Sequence, residues 1–181
     1  MSAAEPGRDN RNMMQDNSST TGVVAAEAQS IGAEARISNP ALQALAFLIG
    51  RWRTEGTHPD VPGRVFHGRA SFQWVEGGAF LIMHSEIDEA EIPSGVAIFG
   101  SDAGAERIYM LYFDERGVSR KFDVTVGAKE VTCRRDHPKF SQITRLRADS
   151  GGDLLVGSGR RSENGAAWQD DLSLTYTRVR D

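Results

Sequence analysis

Arg120 lies in the run Val118-Ser119-Arg120-Lys121-Phe122-Asp123-Val124. Val118, Arg120, Phe122 and Val124 fall on one side of that run, and Ser119, Lys121 and Asp123 on the other. Alternation of this kind marks a strand with one dry and one wet face. The pattern therefore points Arg120 inward. A guanidinium cannot shed its charge, so burying it demands an acceptor. The acceptor is a ligand carboxylate or phosphate, or an internal carboxylate such as Glu86; otherwise the side chain snorkels out at a rim. His84 and Glu86 are two residues apart and share a face with Phe80 and Ile82. If that face is internal, the pair forms a polar site suited to general-base, metal or haem ligation. If it is external, both are solvated. The opposite set, Ala79, Leu81, Met83 and Ile87, is at least as apolar, so the inner face stays open. Tyr112 and Tyr176, like Tyr109, add aromatic rings with one polar tip, which suit a ligand cavity or ordinary packing. The candidate ligand-binding set is thus Arg120, His84, Glu86, Tyr112 and Tyr176, a polar cluster in an otherwise apolar pocket.

The other chemistry-bearing residues do not form a recognisable site. His58 sits in the loop His58-Pro59-Asp60-Val61-Pro62-Gly63, His67 falls on the polar face of a strand, and His137 belongs to a turn, Asp136-His137-Pro138. Histidines scattered in this way lack metal-ligand spacing, and no metal site is expected. The single cysteine, Cys133, excludes an internal disulfide and reads as a packing residue. Ser85 has no base–acid partnership in the sequence. No phosphate loop, dinucleotide fingerprint or Gly-x-Ser-x-Gly is present, and Gly157-Ser158-Gly159 reads as a strand bulge. No catalytic residue is assigned.

The elements that must position these groups are short strands. Glu76-Gly77-Gly78, Asp102-Ala103-Gly104, Glu115-Arg116-Gly117, Ser150-Gly151-Gly152-Asp153 and Glu163-Asn164-Gly165 punctuate the chain with hairpin-turn chemistry. About ten strands fit between them: 51–57, 64–75, 79–88, 95–101, 107–114, 118–126, 129–135, 140–148, 153–161 and 167–179. That pattern predicts an all-β fold: one antiparallel sheet closed into a barrel or folded into a sandwich. Before it, Asn39 and Pro40 suit the start of a helix, Leu42, Leu45, Leu48 and Ile49 follow at helical spacing, and Gly50 suits its C-terminal cap. This helix is expected to cover one end of the sheet. Residues 1–37 carry few large apolar groups and are expected to form a disordered arm, leaving 38–181 as the folded domain. A net charge of −4 and a pI near 5.6 give no broad attraction for nucleic acid or an anionic membrane. No apolar run approaches a membrane span of roughly 20 residues. With no secretory-type apolar core at the N-terminus, a cytoplasmic location is expected.

Gly50-Arg51-Trp52, at the start of the first strand and just after the short helix, resembles the opening motif of lipocalins and the wider calycin group. In those barrels a late Arg or Lys packs across the Trp at the closed end, and Arg178 in Tyr176-Thr177-Arg178-Val179 matches it. Trp52 and Arg178 are therefore the expected structural closure. The stretches Leu45 to Trp52, Trp74 to Leu81, Tyr112-Phe113-Asp114-Glu115-Arg116-Gly117 and Leu174 to Arg178 are most similar to a bacterial family of uncharacterised lipocalin-like domains. The resemblance spans about residues 40–181 and implies an up-and-down barrel of eight to ten strands. More distantly the chain resembles fatty-acid-binding barrels, in which inward Arg and Tyr hold a carboxylate. It also resembles nitrobindin-like barrels, which bind haem through a His near the C-terminal end; this chain has no His after His137. The expectation is a barrel that binds a small hydrophobic or carboxylate-bearing ligand, as a monomer or homodimer, without a resident cofactor. The alternatives are an isomerase- or lyase-type enzyme on the same barrel, a haem binder, and a partner-binding barrel with a filled interior.

Overall fold

The structure, a computed structural model, describes residues 39–102 and 107–180. The expected disordered arm, 1–37, lies outside the described residues. Residues Ile37–Asp181 form one compact unit. Ten strands make it up: β1 (Gly50–Thr57), β2 (Phe66–Val75), β3 (Phe80–Ile87), β4 (Gly95–Asp102), β5 (Arg107–Asp114), β6 (Ser119–Gly127), β7 (Glu130–Arg135), β8 (Phe140–Ala148), β9 (Leu154–Glu163) and β10 (Gln169–Arg178). Each pairs antiparallel with its sequence neighbours, and β1 pairs with β10, closing the barrel. The turn residues account for this order. Short loops let successive strands pair as hairpins, and Gly77, Gly117, Gly152 and Gly165 occupy the positive-φ positions those turns require.

The segment ahead of β1 differs from the expected helix. It is a 3-10 helix, Pro40–Leu48, with Asn39 accepting a cap hydrogen bond from the Ala41 N–H. The reason is the spacing of its leucines. Leu42, Leu45 and Leu48 recur every third residue, the period of a 3-10 helix, and all three are fully buried. Gly50 is not the cap; Ile49 is, and Gly50 opens β1 at φ 134°.

Inside the barrel, Trp52, Ala70, Phe72, Leu81, Ala97, Phe99, Phe122, Val131, Leu155 and Tyr176 join the three leucines in one core. This core fills the end of the barrel next to the 3-10 helix. Trp52 is 1% exposed, and its indole N–H donates to the Leu48 carbonyl at 2.9 Å. The Arg178 guanidinium lies 4.1 Å above the Trp52 ring. It also donates to the carbonyls of Ile49, Phe47 and Gly152. One side chain thus satisfies carbonyls left over at the helix end while tying the last strand to the first. Gly50 makes room for it: a Cβ there would lie 2.4 Å from Arg178 Nη1.

Gly157-Ser158-Gly159 is not itself the bulge. Asp170 pairs with Arg160 and Ser173 with Ser158, so on β10 Asp171 and Leu172 together face Gly159 alone. The extra residue is on β10, and the glycine opposite accommodates it. A Cβ on Gly159 would sit 2.8 Å from the Leu172 carbonyl and 3.2 Å from Asp171 Cβ.

Candidate functional site

The inner faces of the strands become polar toward the end of the barrel opposite the 3-10 helix. On β6 the inward series Val124, Phe122, Arg120 runs from dry to charged, and on β7 Val131 and Cys133 lead to Arg135. On β8, Leu146 and Thr144 lead to Gln142, and on β9 Leu155, Gly157 and Gly159 lead to Arg161. Pairing then sets these residues side by side: Tyr112 with Arg120, Arg135 with Gln142, and Gln142 with Arg161. The bulge in β10 turns Asp171 into the same ring, where it is 8% exposed.

Two hydrogen-bonded systems occupy this mouth. Asp171 is the centre of the first. It accepts from Gln142 Nε2 at 2.8 Å, from His58 Nε2 at 3.1 Å and from Arg161 Nη1 at 3.4 Å. Arg161 Nη2 reaches both oxygens of Asp60 at 2.8 and 2.7 Å. That bond holds the Asp60 carboxyl below the usual carboxylate range and raises Arg161. The β1–β2 loop carrying His58 and Asp60 is thereby fastened to β9 and β10. The Asp60 N–H donates to His58 Nδ1, so in the neutral ring the proton resides on Nε2 and is donated to Asp171. Both ring nitrogens are spoken for, which leaves His58 no free lone pair for general-base catalysis.

The second system surrounds Arg120. Its guanidinium stacks over the Phe140 ring, 4.3 Å from the centroid, and among the described residues donates once, to Gln142 Oε1 at 3.1 Å. Arg135 meets the same phenylalanine at its backbone, donating through Nη1 to the Phe140 carbonyl. Neither Arg120 nor Arg135 has a carboxylate partner among the described residues. Arg116 does: it grips Asp114 through Nε and Nη2, and Tyr112 Oη donates to the same carboxylate at 3.2 Å. The electrostatics follow. Arg116 holds the Asp114 carboxyl below its ordinary value. Burial, helped by the Asp114 charge, pushes the Tyr112 hydroxyl up to about 12. Burial, then the like charges of Arg135 and Arg116, pull Arg120 below the usual guanidinium value.

Of the candidates read from sequence, Arg120 and Tyr112 face this mouth as neighbours. His84 and Glu86 do not; the expected cluster with Arg120 is corrected here. The inner face of β3 is Leu81, Met83, Ser85 and Ile87, because Leu81 pairs with Phe99 and Met83 with both Phe72 and Ala97 of the core. Glu86 is on the outer wall with Arg69, at 2.7 Å across the strands, and His84 is exposed beside it. Tyr176 is inward but deep in the core, opposite Thr54 and Leu155, and burial raises its hydroxyl far above the ordinary value. Arg135, Gln142, Arg161, Asp171 and His58 were missed. For Arg135, Gln142 and Arg161 a signal existed: each continues, in steps of two, an inward series that begins with apolar or small residues. For Asp171 none existed, since a bulge breaks the parity of its strand.

Among the described residues no histidine stands in the interior to ligate haem. His67 and His84 face outward, His58 is committed at both nitrogens, and His137 accepts the Lys139 N–H within its turn. The residues therefore do not fit the haem alternative. Among the described residues no three His, Cys, Asp or Glu groups are placed to hold a metal ion. Among the described residues, open hollows also lie away from the mouth. One of about 460 Å³ is lined by Ser101, Asp102, Tyr109, Leu111 and Lys121. The other, of about 230 Å³, is lined by Glu130, Arg145, Arg147, Val156 and Ser158. Neither shares a residue with the mouth.

Comparison with known proteins finds a likeness of shape alone. The chain resembles the crystal structure of Rv2717c from M. tuberculosis, with a TM-score of 0.58 and 19% identity over 80% of this chain and 100% of that one. It also resembles a protein of unknown function from the DUF3598 family of Nostoc punctiforme, TM-score 0.53 and 14% identity over 78% of this chain and 51% of that one. A looser likeness, TM-score 0.49 with 11% identity over 83% and 97% of the two chains, is to the S-type phycobiliprotein lyase CPES of Guillardia theta. No family model and no curated protein matches the sequence. At these identities the first two likenesses establish a shared barrel fold. Among the described residues no helix is long and apolar enough to cross a membrane.

Proposed function

We propose that this chain is a lipocalin-like barrel of the calycin type that binds a small molecule bearing an acidic group, with the acid held by Arg120 at the end of the barrel opposite the 3-10 helix. The observation that carries this reading is Arg120 itself: a half-buried guanidinium inside the barrel, stacked on an aromatic ring, bonded to one neutral amide and facing two further arginines. Glu86, the internal counter-charge suggested by the sequence, is outside with Arg69. An anion entering the mouth relieves the repulsion and meets fork-shaped donors. The groups around it fix charge rather than move protons. His58 is committed at both nitrogens and Tyr112 is held protonated. That favours binding over the isomerase- or lyase-type alternative. A cytoplasmic location remains part of this proposal.

The test is displacement of the anionic fluorophore 8-anilinonaphthalene-1-sulfonate by decanoate from the full chain. Decanoate should compete in the wild type. Arg120→Met should weaken decanoate at least tenfold, with an unfolding midpoint equal to or above the wild type because a half-buried charge is gone. A folded Arg120→Met protein that binds decanoate unchanged would overturn the proposal.

A further inference from the structure

The mouth holds a second guanidinium without a carboxylate, and this bears on the charge of the ligand. Arg120 spends one of its five N–H donors on Gln142 and Arg135 spends one on the Phe140 carbonyl. Both converge on Phe140, Arg120 over its ring and Arg135 at its backbone. The third nearby arginine, Arg116, is already matched by Asp114, and the fourth, Arg161, by Asp60 and Asp171. Gln142, a neutral side chain, separates Arg120 from Asp171. The unmatched charge on this side of the mouth is therefore carried by two neighbouring guanidinia, each with several donors left over.

Resting on the anion-binding reading, we propose that the head group these two arginines take is a dianion of the phosphate-monoester class. A monocarboxylate offers two oxygens and one charge, which leaves one guanidinium uncompensated in a partly desolvated site. A phosphate monoester offers three terminal oxygens and close to two charges above its second pKa of about 6. It can accept a pair of hydrogen bonds from each fork while neutralising both. The Phe140 ring is placed to meet an apolar body attached to that head.

Matched probes separate the two charge states. Phenyl phosphate and benzoate share a ring and differ in head group, and both are titrated calorimetrically into the full chain at low ionic strength between pH 5 and 8. The expected result is phenyl phosphate at least tenfold tighter than benzoate at pH 8, with the advantage fading as pH falls below about 6, where the ester becomes a monoanion. Benzoate serves as the internal control. Any proton gained by the groups facing the mouth, His58, Asp60, Asp114 and Asp171, would strengthen binding of both anionic probes as pH falls, whereas loss of the ester's second charge weakens phenyl phosphate alone. Arg135→Met should remove the advantage of phenyl phosphate while leaving benzoate within about twofold, a readout that a merely structural role would not produce. Equal affinities at pH 8 would overturn the dianion inference and leave the anion-binding reading standing. Failure of both probes and of decanoate would overturn both.

Discussion

Arg178 shows how much one side chain can do at the closed end. Its guanidinium covers Trp52, its N–H groups take carbonyls from the 3-10 helix and the β8–β9 turn, and Gly50 must stay bare beneath it. Trp52→Ala should therefore cost about 3–5 kcal/mol in urea unfolding, the range for deleting a buried aromatic. Gly50→Ala should also destabilise, by about 1–3 kcal/mol, through its positive φ and the displaced guanidinium. Cys133 gives a pH prediction. Burial lifts its thiol from 9.0 to about 12, and Tyr112 is lifted from 10.0 to about 12. Above the unfolded pKa the folded state binds more protons than the unfolded state, so stability falls as pH rises. The thermal midpoint should be flat up to about pH 9 and then decline, as the unfolding free energy falls by about 1.4 kcal/mol per pH unit for one fully shifted group. Cys133→Ala should delay the onset to the tyrosine range. A wild-type midpoint that stays flat to pH 11 would contradict this.

Among the elements, β10 decides the site. Its regular half carries Tyr176 and Arg178 into the core and the closed end, while its bulge sends Asp171 to the mouth opposite Gly159. Gly159→Ala would press a methyl group against the Leu172 carbonyl, a backbone atom that cannot swing aside. It should cost about 1–3 kcal/mol, in the manner of an overpacked core. Because Asp171 anchors His58, the same variant should loosen the β1–β2 loop. Faster amide exchange over residues 58–65 than over the loops at the closed end would report it. Protection of 58–65 equal to wild type would show that the loop does not depend on the bulge.

For the whole molecule, closure is the governing fact. The first strand meets the last, Trp52 opposite Arg178 through Thr57 opposite Ser173, so the sheet exposes no free edge to template aggregation. The barrel cannot close until the ends of a long chain come together, a slow loop closure. Refolding should run on the millisecond-to-second scale of β-rich domains and not in microseconds. Substitutions at the β1–β10 seam should mainly speed unfolding if that seam forms after the transition state. Stopped-flow chevrons of Thr54→Ala would show this as a change confined to the unfolding limb.

Much of this was legible from the chain. The ten strands fall within about two residues of the segments bounded by Gly, Asn and Asp turns, because turn chemistry and period-two alternation are local properties of the backbone. Arg120 was readable as inward for the same reason, since Val118, Phe122 and Val124 mark its face. The choice between the two faces of β3 was not local. Both are apolar, and pairing with Phe72 and Ala97 settled it by turning Met83 inward and sending His84 and Glu86 to the outer wall. Among the partners at the mouth, Arg135, Gln142 and Arg161 continue inward series that the sequence itself shows. Asp171 and His58 were out of reach, because the bulge in β10 sends the one to the mouth and the closure of β1 on β10 brings the loop carrying the other to it. Sequence alone thus determined the kind of wall this protein builds and the inward turn of its key arginine. Only the tertiary structure decided which charges that arginine faces, because register in a closed barrel is set by all ten strands together.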